Sequence, residues 1–505
     1  MKTKHKVEYG DFQTPDELAA QVCHVLAARG IRPASIVEPT CGRGSFLLAA
    51  MEYFPMAKTI LGLEVNGDVL QEAHERVSLR VPKPHMDLRQ GDFFHFDWPG
   101  VLKTLPEPIL VVGNPPWVTS AGLASLSSTN LPAKSNFQNR RGLDALTGKA
   151  NFDIAEWMVI RLMEWLDGRP GTVAMLLKTA VARRVLLHAW KSGFPLAQAT
   201  MLTFDAQKHF GVGADACLFI GELRPGHATQ VCHVSELTHA KRTANMISHD
   251  NGMLVANKGA FDRWRHLAQD PTSEPAYRWR SGIKHDCAAV MELRREGTLL
   301  QNGLQETVGI EEEHVYPLLK GAEVASGRLL QPTRAVLVTQ KETGQDTAYV
   351  ALTAPRTWEY LCAHAEALDG RRSSIYRKRP RFSVFGIGKY TFAPWKVAIS
   401  GLHKKFQFGV VGSHCGKPIL LDDTCYHLSC SGREEAELLA KMLNSDTARE
   451  FYGAFVFWDS KRPITVELLS RLGMLALADE LGEKAHLVSL RPDLVAKAAL
   501  EKTLF

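Results

Sequence analysis

The chain has 505 residues, 45% of them hydrophobic, and a formal net charge of +6. That is more apolar material than one core usually holds, so two or more domains are expected. No stretch reaches the ~20 uninterrupted apolar residues of a membrane span, and the start, MKTKHKVEYGDFQTP, lacks an apolar signal region; a cytoplasmic protein with no membrane partner is expected.

In chain order, the spacing of apolar residues predicts a helix from Glu17 to about Arg29, stopped by Gly30. ASIVEPTCGRGSFLLAAMEYF reads as strand, glycine-bearing turn and helix, the helix running from Phe46 to Phe54. TILGLEV is a second strand ending at Glu64, and DVLQEAHERVSLRV the helix after it. MDLRQGDFFHFDW offers a short strand and a turn around Asp92, and PILVVGNPPW a fourth strand. Strands alternating with helices predict an α/β fold, a parallel, doubly wound, Rossmann-like sheet.

After Trp117 about thirty residues rich in Ser, Asn, Gly and Ala show weak periodicity and read as a long mobile loop. NFDIAEWMVIRLMEWL then predicts an amphipathic helix, and GTVAMLLKT and ADACLFIGEL two further strands. The polar LRPGHATQ suggests a boundary near residue 225, giving domains 1–225 and 226–505. The second half reads as mixed α and β, with EEAELLAKMLN as one of its helices.

Nine cysteines are scattered with no CxxC pair, which points to buried reduced thiols rather than disulfides or a zinc ribbon. His414, Cys415, Cys425, His427 and Cys430 cluster loosely, but their spacings fit no standard zinc pattern, and no metal is expected. The positive charge is concentrated in residues 371–410, which hold ten Lys and Arg and no Asp or Glu. Arg377, Lys378, Arg379, Arg381, Lys389 and Lys396 lie there among Tyr376, Phe382, Phe385, Tyr390, Phe392 and Trp395. This mixture suits a protein that holds a nucleic-acid backbone near its bases; the bland alternative is a solvated basic face over strand-core aromatics.

Four polar residues stand at successive strand ends: Glu38, Glu64, Asp92 and Asn114. In doubly wound folds such ends form the ligand crevice. Gly42 and Gly44 let the backbone after Glu38 approach a ligand, Glu64 suits the two hydroxyls of a ribose, and Asp92 an exocyclic amine with Phe93 as an apolar wall. The turn Glu38-Pro39-Thr40-Cys41-Gly42 is neither a P-loop nor a dinucleotide fingerprint, so the set describes an adenosine pocket without a pyrophosphate cradle. S-adenosylmethionine fits it, with Thr14 and Pro15 placed to close over the amino acid moiety.

Asn114-Pro115-Pro116-Trp117 follows directly. The lone pair of an exocyclic amine on adenine or cytosine is conjugated with its ring and is a poor nucleophile. The Asn114 side-chain oxygen and the Pro115 carbonyl can each accept a hydrogen from it, freeing the lone pair to attack a methyl group. Pro115 and Pro116 stiffen the backbone that aims these acceptors. Trp117 offers a face for the base, and Phe210 a second. Such a base is reached only outside the stack, at a cost of ~a few kcal/mol.

These segments resemble the γ-class, TaqI-like DNA adenine-N6 amino-methyltransferases of restriction-modification systems. FQTPDELA looks like motif X, VEPTCGRGSFL like motif I, Glu64 like motif II, GDFF like motif III and NPPW like the catalytic motif IV, in the γ order. NFDIAEWM and GTVAMLLKT resemble motifs V and VI, and the Phe210 segment motif VIII. The resemblance implies cofactor roles for Thr14, Glu38, Glu64, Asp92 and Phe93, catalytic roles for Asn114, Pro115 and Trp117, and a base contact for Phe210. It also implies duplex DNA as partner, a separately encoded restriction endonuclease beside it, and a C-terminal target-recognition domain. WRSGIKHD, VYPLLKGAEV and PRFSVFGIGKYTFAPWKVAISGL are similar to segments of such domains. Trp117 stands where Tyr or Phe is commoner, and Thr40-Cys41 where Ala-Cys is. By the same resemblance adenine N6 is favoured over cytosine N4. Carbon-5 chemistry needs a cysteine nucleophile, usually after proline, and the chain has no Pro-Cys dipeptide. An RNA or protein-glutamine methyltransferase is the rival from another class, with a catalytically silent DNA-binding component behind it.

Overall fold

The computed structural model describes residues 13–80, 84–118, 153–240, 244–460 and 462–494. The loop expected after Trp117 falls almost wholly outside them. Two compact units divide the chain, Met1–Lys258 and Gly259–Phe505. Among the described residues no helix is long and apolar enough to cross a membrane.

The first unit is built on ten strands: β1 (Ser35–Glu38), β2 (Thr59–Glu64), β3 (His85–Gln90), β4 (Ile109–Gly113), β5 (Gly171–Lys178), β6 (Leu196–Asp205), β7 (Asp215–Leu223), β8 (Val231–Glu236), β9 (Asn245–Asp250) and β10 (Met253–Val255). They form one sheet in the order β10-β9-β8-β6-β7-β5-β4-β1-β2-β3. β3, β2, β1, β4 and β5 are parallel, and β1 and β4 lie side by side with Val37 opposite Val111. The chain leaves this central pair in opposite directions, and right-handed crossovers then put helices on both faces. On one face Leu18, Val22 and Leu26 of helix Asp16–Ala28, and Phe46, Leu47 and Ala50 of helix Ser45–Tyr53, bury against Ile36, Ile60, Leu110, Val112 and Leu176 of alternate strand positions. That alternation is the two-residue period of a strand.

Two departures from the sequence reading have physical causes. β7 runs antiparallel between β5 and β6, because only nine residues join it to β6, too few for a parallel crossover. The sheet also continues through β8, β9 and β10, so the unit ends at Lys258 rather than near residue 225. LRPGHATQ is a connection inside the sheet, not a break between cores.

The second unit holds a five-stranded sheet, Leu299–Asn302, Glu292–Glu296, Arg334–Leu337, Val315–Leu319 and Leu420–Leu421 in spatial order. A four-stranded sheet orders Arg280–Ser281, Cys425–Cys430, Trp395–Ser400 and Gly409–Val411. Helix Arg433–Leu443, the expected EEAELLAKMLN element, packs on the latter with Leu438, Leu439 and Leu443 buried.

Candidate active site

The C-terminal ends of β1, β2, β3 and β4 open into one cavity of about 250 Å³. Thr14, Glu38, Pro39, Thr40, Cys41, Gly42, Glu64, Asp92, Phe93, Asn114 and Pro116 all line it. The cavity sits where β1 meets β4, the point at which the strand order reverses and an open α/β sheet leaves a crevice.

Glu38 is 3% exposed, and its Oε2 has no hydrogen-bond partner among the described residues. Burial, reinforced by the nearby Glu64 carboxylate, holds its pKa well above the usual range, against a backbone hydrogen bond from Leu47. Such a carboxyl calls for a cation. Glu64 accepts the Gly42 N–H at 2.9 Å and the Asn66 N–H at 3.0 Å, which fixes the turn after β1 to the end of β2. Gly42 needs its left-handed φ of +50°, and a Cβ there would stand 2.8 Å from Gln13 Oε1. Gly44 does not line the cavity; at φ +80° it turns the chain into helix Ser45–Tyr53. Pro15 likewise starts helix Asp16–Ala28, its carbonyl accepting the N–H groups of Leu18 and Ala19.

Asp92 lies two residues beyond β3 and accepts the Phe94 N–H at 3.0 Å and approaches His95 Nδ1 at 2.8 Å. Phe93 is 6% exposed and packs its ring against Trp98, Trp157 and Trp165, forming the apolar floor beside Asp92. Burial and the carboxylates of Glu38 and Glu64 push the Cys41 thiol up, so it stays protonated and is no nucleophile.

Asn114 follows β4, and its Nδ2 donates to Thr14 Oγ1 at 3.3 Å. Its own carbonyl accepts from Thr40 Oγ1 at 3.4 Å. Pro115 is buried behind it. Trp117 is 7% exposed, with its indole N–H donating to the Leu176 carbonyl at 3.1 Å. The Phe210 ring meets it edge to face, with centroids 5.4 Å apart and planes at 68°. The two rings expected to flank a base are therefore brought together, but in contact with each other; a base entering between them has to part them.

Sequence reasoning missed Gln13, Asn66, Phe94, Ile154 and Met158, which also line the cavity. Phe94 was legible as the second aromatic of GDFF. Ile154 and Met158, one helical turn apart in helix Ile154–Trp165, carried no signal of their own, because a helix that is almost wholly buried gives no hint of which apolar residue meets a ligand.

The basic segment of the second unit is dispersed. Arg377, Lys378, Arg379 and Lys389 are exposed. Arg381 is exposed but pairs with Asp369 at 2.7 Å. Lys396, expected on the DNA face, is 1% exposed and donates to the carbonyls of Ala393 at 2.6 Å and Ile419 at 3.0 Å. It sits on a central strand that is buried at every position from Lys396 to Ser400, covered on both faces, which corrects its assignment. Phe382, Phe406 and Phe408 are buried core residues. Among the described residues no group of three or more His, Cys, Asp or Glu is arranged to hold a metal.

Residues 2–183 match the N-6 DNA Methylase family. Over 475 residues the chain is 44% identical to the Type II methyltransferase M.NspV of Nostoc sp., covering 94% of this chain and 98% of that protein. Among solved structures it is similar to the Type IIL restriction-modification enzyme MmeI in complex with DNA, with a TM-score of 0.50 and 14% identity over 90% of this chain and 64% of that one. A class I S-adenosylmethionine-dependent methyltransferase structure from Listeria monocytogenes covers 48% of this chain and 72% of its own, with a TM-score of 0.34 and 15% identity.

Proposed function

The chain belongs to the N-6 DNA methylase family as a restriction-modification DNA methyltransferase that uses S-adenosylmethionine, and on that premise we propose that it methylates the exocyclic N6 amine of an adenine swung out of duplex DNA. The observation that carries the reading is the convergence of Glu38 and Asn114 on one cavity from the two central strands.

The residues present fit the cofactor. The buried, unpartnered Oε2 of Glu38 suits the α-ammonium of the amino acid moiety, whose positive charge would bring the carboxyl back to its ionised form. Glu64, at the end of β2, would accept from ribose hydroxyls, and Asp92 with Phe93 would hold the adenine ring. When bound, S-adenosylmethionine supplies an electrophilic methyl group.

The Asn114 amide oxygen and the Pro115 carbonyl accept the two hydrogens of the target amine, drawing its nitrogen towards a tetrahedral shape. Thr14 Oγ1 holds the Asn114 Nδ2, so that the amide presents its oxygen rather than its nitrogen to an incoming donor. Trp117 and Phe210 close on the two sides of the ring once parted. As the amine nitrogen bonds to the methyl carbon, the bond from that carbon to sulfur would break and a neutral thioether would leave. The cationic nitrogen that results is a strong acid and would pass its proton to water, so no side chain needs to act as a general base and the work is done by preorganised acceptors.

We assign the first unit to catalysis and the second to target recognition, with Arg377, Lys378, Arg379 and Lys389 on phosphates. A separately encoded restriction endonuclease completes the system, and the cytoplasm is its site of action. Incubating the purified chain with labelled cofactor and unmethylated duplex DNA, then separating the nucleosides, tests the reading. The expected product is N6-methyladenine; N4-methylcytosine would move the target to the other amine, and labelled RNA or protein with unlabelled DNA would overturn it.

A further inference from the structure

We propose that Lys178 is a positioning residue for methyl transfer, holding the Asn-Pro-Pro-Trp segment against the wall of the cofactor cavity through a clamp completed by Asp153. The proposal rests on the reading of Asn114 as the acceptor of the target amine.

Lys178 ends β5, on the edge of the sheet where the ligand crevice lies. Its Nζ donates to the Trp117 carbonyl at 3.0 Å and to Asp153 Oδ2 at 3.2 Å. The Asp153 side chain is 6% exposed, and its Oδ1 accepts the Ala155 N–H at 3.2 Å, capping helix Ile154–Trp165. The first residue of that helix, Ile154, donates its N–H to the Val118 carbonyl at 2.9 Å. Ile154 and Met158 of the same helix form part of the cavity wall. One ammonium group therefore joins the carbonyl that ends the catalytic motif to the carboxylate that caps the cofactor-facing helix.

The need for such a clamp follows from the sequence of the motif. Pro115 and Pro116 have no N–H, so two consecutive residues of the segment donate nothing to the surrounding backbone. Besides the side chains of Asn114 and Trp117, which donate to Thr14 and Leu176, the segment is anchored through carbonyls that are each held by a donor from another element: Asn114 by Thr40, Trp117 by Lys178 and Val118 by Ile154. Of these three donors only Lys178 carries a charge, and its ammonium also donates to the Asp153 carboxylate, tying the Trp117 carbonyl to a second element. A shift of the loop by an ångström would carry the Pro115 carbonyl and the Asn114 amide off the amine together.

Lys178→Met keeps the length and packing of the side chain and removes its donors. With unmethylated bacteriophage DNA and tritiated S-adenosylmethionine, the single-turnover rate of K178M should fall about a hundredfold. Its affinity for the cofactor should stay close to wild type. Its Tm should fall, because the buried Asp153 carboxylate loses its cation. K178M/D153N, which removes that charge too, should regain Tm without regaining the rate, whereas K178R, which keeps charged donors at the site, should recover part of it. D153N, which keeps the helix cap but loses the charge, should fall less than K178M. A wild-type rate in K178M overturns the proposal. So does a loss that follows cofactor affinity and is not recovered by K178R, or a rate that returns with Tm in K178M/D153N, because that marks a merely structural ion pair. A wild-type enzyme that transfers no label to DNA would instead overturn the functional reading on which the proposal stands.

Discussion

The cavity of the first unit and the basic segment of the second both concentrate reactive side chains, and they deploy them in opposite ways. Thr14 and Asn114 are a hundred residues apart yet share a hydrogen bond, and Glu38, Glu64 and Asp92 line the same cavity. Residues 371–410 are contiguous and yet scatter. Lys396 points to buried carbonyls, Arg371 donates to the carbonyls of Leu368, His285 and Ser383, Arg381 pairs with Asp369, and Arg377, Lys378 and Arg379 face solvent. A parallel sheet delivers every strand's C-terminal end to one edge, so its topology cancels separation along the chain. Short strands and turns send neighbours to opposite sides, so they cancel proximity instead.

The strongest way to break this contrast is Asn114→Ala. If the strand ends act as one site, methyl transfer should drop by about a thousandfold while duplex binding is retained, since the variant loses a preorganised acceptor and few DNA contacts. Turnover near wild type, measured with labelled cofactor, would remove Asn114 from the chemistry. Next in size is Glu38→Gln. Losing a charge-assisted partner of ~1.5–3 kcal/mol should weaken cofactor binding about tenfold to a hundredfold, as read by calorimetry. An unchanged Kd would mean that the buried carboxyl serves the fold alone.

A smaller effect separates the cations of the basic segment. Arg377→Ala and Arg379→Ala should each lower the slope of log affinity against log salt by about 0.9 if the residue contacts a phosphate, whereas Lys396→Met should leave that slope unchanged. A shallower slope in Lys396→Met would refute its internal placement.

The smallest effect is on stability. Burial pushes the Lys396 amine down to about 7, and His427, 1% exposed beside it, down to about 3. Both folded pKa values lie below the unfolded ones, so the unfolded chain binds more protons and stability rises with pH. For His427 the contribution is complete above about 6.5 and is lost as pH falls towards 3. Replacing it as His427→Leu should therefore flatten the fall of Tm between pH 6.5 and 4, and parallel melting curves for the two proteins would show that His427 is not the group protonated on unfolding.

The elements with strong periodicity were legible in the chain. Helices Asp16–Ala28 and Ser45–Tyr53 fall within a residue of their expected limits, and β1, β2 and β4 lie where apolar runs end in Glu38, Glu64 and Gly113. β6, with the sequence LAQATMLTFD, was not seen, because its small and polar residues give little alternation; pairing on both sides with β7 and β8 makes it a strand. The orientation of β7 follows from a short connection whose consequence appears only once both partners are strands.

By itself the sequence determined the donor and acceptor chemistry: three acidic residues at strand ends, an amide, and two prolines that remove backbone donors at fixed positions. These are properties of residue type and order, carried by covalent structure. Only the tertiary structure decided which of them meet and what holds them, that Trp117 and Phe210 touch, that Lys396 is internal and that Lys178 reaches the Trp117 carbonyl. The direction of a side chain and the neighbours within its reach depend on how strands and helices pack, and no local pattern encodes contacts between positions 61 residues apart.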